Sequence, residues 1–191
     1  ALINYAATFA ITFVLSLYLQ NVRGLSPSGA GLILVTQPVM MAIMASISGR
    51  LSDRIDSRIL SSLGMAVIAG GLFLLIFLRA ETSFTYLVPV LGLLGIGFGL
   101  FSAPNTHSIM SSVEKKFLGT ASATIGTMRL TGMMFSMGIA AMAIHVFIGD
   151  ASIGNSAVPG FLMAMKTVFT VFTILCILGV FASMARGKKQ A

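Results

Sequence analysis

Charged side chains fall in short clusters along this chain, and the stretches between them are long, apolar and almost free of charge. Six such stretches are read at about 1–20, 28–49, 59–78, 84–110, 118–147 and 160–184, followed by a polar tail at 185–191. Each approaches or exceeds the roughly 20 apolar residues that cross a hydrocarbon core about 30 Å thick. A backbone in lipid must satisfy its own N–H and C=O groups, and an open strand cannot, so all six are expected to be helices. Local punctuation agrees. Ser26-Pro27 sets an N-cap side chain before a proline at the first helical position, and Pro159-Gly160 opens the sixth stretch in a similar way. Pro38 should kink the second stretch and free a carbonyl. The expected fold is an all-α membrane protein, a single six-transmembrane-helix bundle.

Composition excludes a water-soluble domain. Of the 191 residues 57% are hydrophobic and 9% charged, against roughly 25% charged in soluble domains, and the mean hydropathy is +0.99. A net charge of +7 would suggest nucleic acid in a soluble protein, yet the basic residues sit at the ends of the apolar stretches, where they report topology instead. Arg50, Arg54, Arg58, Lys115, Lys116, Arg186, Lys188 and Lys189 fall on one side of the expected membrane, and only Arg23 and Arg79 on the other. Positive residues collect in cytoplasmic loops, so both termini of this chain are expected to be cytoplasmic. Cys176, the only cysteine, lies in an apolar run and is expected to pack. The chain opens at Ala1 directly in an apolar run, without the basic start of a signal peptide, and is expected to be a piece of a longer polypeptide.

Small residues recur four apart at Ala42/Ser46, Ala45/Gly49, Ala66/Gly70 and Gly95/Gly99, spacing that lets helix backbones approach closely in lipid. Ser28-Gly29-Ala30-Gly31 opens the second stretch and Gly119-Thr120-Ala121-Ser122 the fifth, which suggests a 3+3 inverted repeat.

The most specific feature lies between the second and third stretches, Gly49-Arg50-Leu51-Ser52-Asp53-Arg54-Ile55-Asp56-Ser57-Arg58. It resembles the G-x-L-a-D-R-x-G-R-[RK] loop of the major facilitator superfamily, with Asp56 at the second glycine and Ser57 at the next basic position. Such erosion is similar to the second copy of the loop, in the C-terminal half of these transporters. Tyr18 to Pro27 with Ala30-Gly31-Leu32, Gly95-Ile96-Gly97-Phe98-Gly99 with Ala103-Pro104-Asn105, and Gly119 to Ala123 leading to Arg129 resemble the fourteen-span drug:proton antiporters of that superfamily. The resemblance implies half of a major facilitator fold, facing a missing N-terminal half across a central cavity. It further implies multidrug or small amphipathic compound efflux by proton antiport with alternating access, in the plasma membrane, here the inner membrane of a bacterium. The implied partners are the lipid bilayer, the N-terminal half, a small amphipathic substrate and protons; neither nucleic acid nor a cofactor is expected.

Two charges fall inside the stretches, Arg129 and Lys166, and a charge within a span is a functional candidate by default. Arg129 lies about 16 Å along the fifth helix, near mid-membrane, and Lys166 about 9 Å along the sixth, where its stem can snorkel outward. Polar stripes recur at helical spacing: Asn4, Thr8, Thr12 and Ser16; Thr120, Thr124, Thr127 and Thr131; Lys166, Thr170 and Thr173. They fit cavity walls or interhelical hydrogen bonds equally well. Gln37 sits with Met40, Met41 and Met44 beside Pro38, a soft surface suited to varied apolar ligands. The expected substrate contacts are Asn4, Thr8, Gln37, Arg129 and Lys166. Gly49, Asp53, Arg54 and Arg58 are the expected gating loop.

All five acidic residues, Asp53, Asp56, Glu81, Glu114 and Asp150, lie outside the apolar stretches, so a proton carrier is expected in the missing half. His107 and His145 fall toward opposite ends of their helices, too far apart to share a metal, and no catalytic residue is assigned. Ser26 lies in an outer loop with proline beside it and no histidine nearby, unlike an intramembrane protease. Two alternatives remain at this stage: a self-associating six-helix half-transporter, and a membrane scaffold or channel whose polar ring only Arg129 could supply.

Overall fold

The computed structural model describes residues 2–52, 54–149 and 157–184. Asp53, Asp150 and the tail with Arg186, Lys188 and Lys189 lie outside the described residues.

Seven α-helices form among the described residues: α1 (Leu2–Leu17), α2 (Pro27–Leu34), α3 (Thr36–Leu51), α4 (Ser57–Leu75), α5 (Phe84–Ser111), α6 (Leu118–Ile148) and α7 (Val158–Met184). They cover the six expected stretches because the second is split at Val35. Proline has no N–H, so Pro38 cannot donate to the Leu34 carbonyl four residues earlier, and the helix is interrupted by one residue, Val35, whose backbone stays helical at φ −60° and ψ −22°, as a kink. Ser26 caps α2 as expected, its Oγ accepting from Gly29 N at 3.2 Å with Pro27 behind it. The end of α1 was not foreseen. A π turn, Tyr18–Val22, extends it, and Gly24 then takes φ +65°, a left-handed conformation that favours glycine.

Five stretches are long and apolar enough to cross a bilayer, and the apolar part of α4, Ile59–Leu75, is shorter. That part rises about 26 Å. Tighter turns, in which Ile76, Phe77 and Leu78 each donate to the carbonyl three residues back, carry the chain about 6 Å further.

The helices pack as two interlocked trios. α3 and α4 both pack on α5, α6 and α7 both pack on α1, and α4 meets α7. Exchanging the first three expected spans with the last three maps these contacts onto one another, as in an inverted repeat, although α6 also packs on α7 without a counterpart of like extent between α3 and α4. Lipid tails are as apolar as leucine, so close packing and interhelical hydrogen bonds must hold such helices together. Glycine makes the approach possible. A Cβ on Gly99 would lie 2.7 Å from Met41 O, one on Gly97 3.0 Å from Gly64 O, and one on Gly132 2.9 Å from Leu2 O. Gly95 stands equally tight against Gln37 O.

The other small-residue pairs behave differently. Ala66 and Gly70 are exposed, as are Ala42 and Ser46, and a Cβ on Gly70 or Gly49 would meet nothing within 4 Å. Spacing alone does not say which side of a helix its neighbours occupy. The core lies where α4, α5 and α7 converge, around Ile68, Leu72, Phe98, Phe161, Phe169 and Phe172, all wholly buried. Cys176 is wholly buried in the same core. Outward faces are apolar too, with Leu32, Met134, Met142 and Phe181 exposed by 77%, 75%, 70% and 67%. A surface of that kind requires apolar surroundings.

Candidate functional site

The break at Val35 opens a groove of about 250 Å³ between α1 and the α2/α3 pair. Thr8 and Thr12, one turn apart on α1, face Gly31 and Leu34 before the break and Gln37, Pro38 and Met41 after it. Two of the expected substrate contacts, Thr8 and Gln37, are thus brought together. Gln37 is 3% exposed and yet reaches this wall.

The hydroxyls of the α1 stripe turn to their own backbone. Thr8 Oγ1 donates to Asn4 O and Thr12 Oγ1 to Thr8 O, each at 3.0 Å. A hydroxyl whose proton is so committed keeps only its lone pairs, and it presents an acceptor to the groove. Asn4 lies one turn below, 2% exposed, and its Nδ2 has no partner among the described residues. Leaving a buried amide donor unmade costs about 1–3 kcal/mol.

Arg129 and Lys166 stand elsewhere. Both are exposed, on α6 and α7, and neither lines the groove. Gly132, one turn later in α6, abuts Leu2 and Ala6 of α1, at the end of α1 away from Arg23. The threonine stripe of α6 also bonds to itself, Thr124 to Thr120 O and Thr127 to Ala123 O, as Thr170 does to Lys166 O on α7.

At the end of α3, a more open cavity of about 540 Å³ lies against Ser46, Ile47, Arg50, Leu51 and Arg54. It includes one residue of the expected gating loop, Arg54, which is exposed. Gly49 precedes it within α3, and Arg58 lies in the first turn of α4.

Sequence reasoning missed the opposite end. The Arg23 guanidinium donates to Ala80 O at 2.9 Å and lies 4.7 Å from the Phe84 ring centre, while Tyr18 Oη donates to Arg79 O at 2.7 Å. The α1 tip is so clamped to the α4–α5 turn. Arg23 had entered only as a topology marker; the clue available was Gly24 beside it, which turns the chain back. Ser48 was missed as well. Its buried hydroxyl donates to Gly99 O at 3.0 Å, tying α3 to α5 where the glycines bring them closest.

The model of the Major Facilitator Superfamily matches residues 1–189. The uncharacterized transporter YebQ of Escherichia coli K12 is 35% identical over 147 residues, 77% of this chain and 32% of that protein. The riboflavin transporter RibZ of Clostridioides difficile 630 is 29% identical over 136 residues, 71% of this chain and 29% of that protein. The multidrug resistance protein Stp of Mycobacterium tuberculosis is 33% identical over 128 residues, 67% of this chain and 24% of that protein. The chain spans about a third or less of the length of these relatives. A family match along nearly the whole sequence, on a helical bundle with the packing of an inverted repeat, establishes that this chain belongs to the Major Facilitator Superfamily.

Proposed function

We propose that this chain is the C-terminal six-helix half of a fourteen-span transporter that exports small amphipathic compounds by proton antiport and alternating access. The observation that carries the reading is the groove at the α2/α3 break, where Thr8, Thr12 and Gln37 stand among apolar walls at the level of a helix interruption. Names among the relatives, a multidrug resistance protein and a riboflavin transporter, support a small organic cargo.

In this reading Thr8 and Gln37 contact substrate, and Asn4 offers its unpartnered N–H when α1 tilts away from α6. Arg129 and Lys166, which lie outside the groove, are the remaining substrate contacts. Gly49, Asp53, Arg54 and Arg58 form the inner gate, with both termini of this chain in the cytoplasm of a bacterium. The partner is the N-terminal half, which faces the exposed sides of α3 and α6 and carries the proton, since the apolar stretches here hold no carboxylate. The spans follow the expected boundaries, with the tail at 185–191 cytoplasmic.

The test is flux. The native polypeptide carrying this chain, reconstituted in vesicles with an imposed proton gradient, should drive uphill movement of a fluorescent amphipathic dye such as ethidium. Collapse of that movement by an ionophore, and its loss in Gln37→Leu with folding intact, are the expected results. Uptake indifferent to the gradient would remove antiport, and unchanged flux in Gln37→Leu would remove the groove.

A further inference from the structure

We infer that the open cavity at the end of α3 holds the phosphate of an anionic phospholipid between Arg50 and Arg54, with one acyl chain of that lipid lying along α3. This goes beyond the transport reading and stands whether or not the groove beside α1 carries a substrate.

The cavity, about 540 Å³, is lined by Ser46, Ile47, Arg50, Leu51 and Arg54, and its size is that of a small-ligand site. Ser46, Arg50 and Arg54 follow at steps of four. Leu51 O accepts from Arg54 N at 3.1 Å and from Ile55 N at 2.9 Å, so the chain keeps turning past the end of α3 and brings Arg54 to the same cavity as Arg50. Two cations one turn apart repel. The dipole at a helix C-terminus favours a cation there, yet it does not remove that repulsion. Both arginines are exposed, neither is in an ion pair among the described residues, and no carboxylate is among the described lining. A phosphate between them supplies the counter-charge, and the planar fork of each guanidinium matches its oxygens.

The neighbouring surface decides where that phosphate comes from. Val39, Ile43 and Ile47 follow one another along α3 at steps of four, 49%, 52% and 50% exposed, and lead into the cavity, where Leu51 joins the lining. The stripe rises about 12 Å from Val39 to Ile47. An apolar strip along a span with two cations at its end is the imprint of an amphiphile with an anionic head. A free phosphate leaves the strip uncovered. The stretch Pro27–Leu51 is long and apolar enough to cross a bilayer, and basic pockets at the ends of such helices receive anionic headgroups. Phosphatidylcholine fits less well, because its trimethylammonium sets a third cation beside the two arginines.

The experiment uses the native polypeptide carrying this chain in phosphatidylcholine nanodiscs, doped at trace level with phosphatidylglycerol or phosphatidylcholine that bears a diazirine in one acyl chain. After illumination, adducts on residues 36–51 are counted by peptide mass spectrometry. The phosphatidylglycerol probe should label at least fivefold more than the phosphatidylcholine probe, and excess unlabelled phosphatidylglycerol, but not millimolar inorganic phosphate, should displace it. The double variant Arg50→Gln, Arg54→Gln should bring the ratio to within twofold of one. Lys115→Gln, Lys116→Gln removes equal charge from the loop before α6 and should leave the ratio within twofold of its native value. Equal labelling by the two probes, displacement by phosphate, a ratio unchanged in the arginine variant, or an equal fall in the lysine variant would overturn the inference. The comparison of probes on the unaltered protein needs no variant, so it decides even where the arginine pair is required for folding. Equal labelling would assign the two guanidiniums to a carboxylate instead, that of Asp53 or one from the N-terminal half.

Discussion

The Ser48 hydroxyl lies 3.0 Å from the Gly99 carbonyl, a hydrogen bond between two helices at a place where no side chain could separate them. A Cβ on Gly99 would stand 2.7 Å from Met41 O and 2.9 Å from Ala45 N. Gly99→Ala must therefore push α3 from α5 and stretch the Ser48 bond with it, and is expected to destabilise by about 1–3 kcal/mol. Ser48→Ala, which removes the bond and keeps the spacing, should cost about 0.6 kcal/mol. Reversible unfolding in mixed micelles measures both, and equal losses would show that the hydrogen bond rather than the close approach dominates.

Pro38→Ala restores an N–H for the Leu34 carbonyl and should straighten the kink between α2 and α3. The protein is expected to gain stability and lose transport, because the groove depends on the break. A variant transporting at the native rate would separate the groove from the interruption that opens it.

At the other end, Arg23→Lys keeps the charge but not the planar fork that reaches Ala80 O and lies over Phe84. Hydrogen exchange should rise at Arg79–Ser83 in both Arg23→Lys and Arg23→Ala, by at least threefold, with topology unchanged. If only the alanine variant loosens the turn, charge and not shape holds the clamp.

For the loop after α3, Asp53→Asn is expected to slow cycling at least fivefold while substrate affinity stays within twofold. Single-turnover flux and equilibrium binding, measured on the same vesicles, divide the two effects. Unchanged turnover would remove the gating role.

Replacing Arg129 by Ala should lower flux severalfold and leave dye binding in the groove unchanged, since Arg129 does not line it. Weakened binding with normal flux would instead bring that guanidinium into the groove.

Helix positions were legible because lipid leaves the backbone few choices, and the edges at Ser26-Pro27 and near Phe84 were written in charge and capping residues. The pairing of Thr8 with Gln37 was half legible. Each was polar in an apolar stretch, and Pro38 marked the place, but their meeting depends on how α1 leans on a broken helix. The fate of Ala66/Gly70 and of Arg129 was not legible. The first needs to know which side of α4 its neighbours take, and the second needs to know which side of α6 is left exposed, away from the groove.

The interlocking of the two trios bears on how the chain is made. α3, α4 and α5 are consecutive in sequence, so that group can assemble as soon as α5 leaves the ribosome. The main partners of α1 are the last two helices, and at about 5–20 residues per second α6 is complete some 7–26 s and α7 some 8–33 s after α1 itself. During that interval the first helix waits in the bilayer without the close approach of Gly132 to Leu2 and Ala6, a standing reason for the insertion machinery or a membrane chaperone to retain it until α6 arrives.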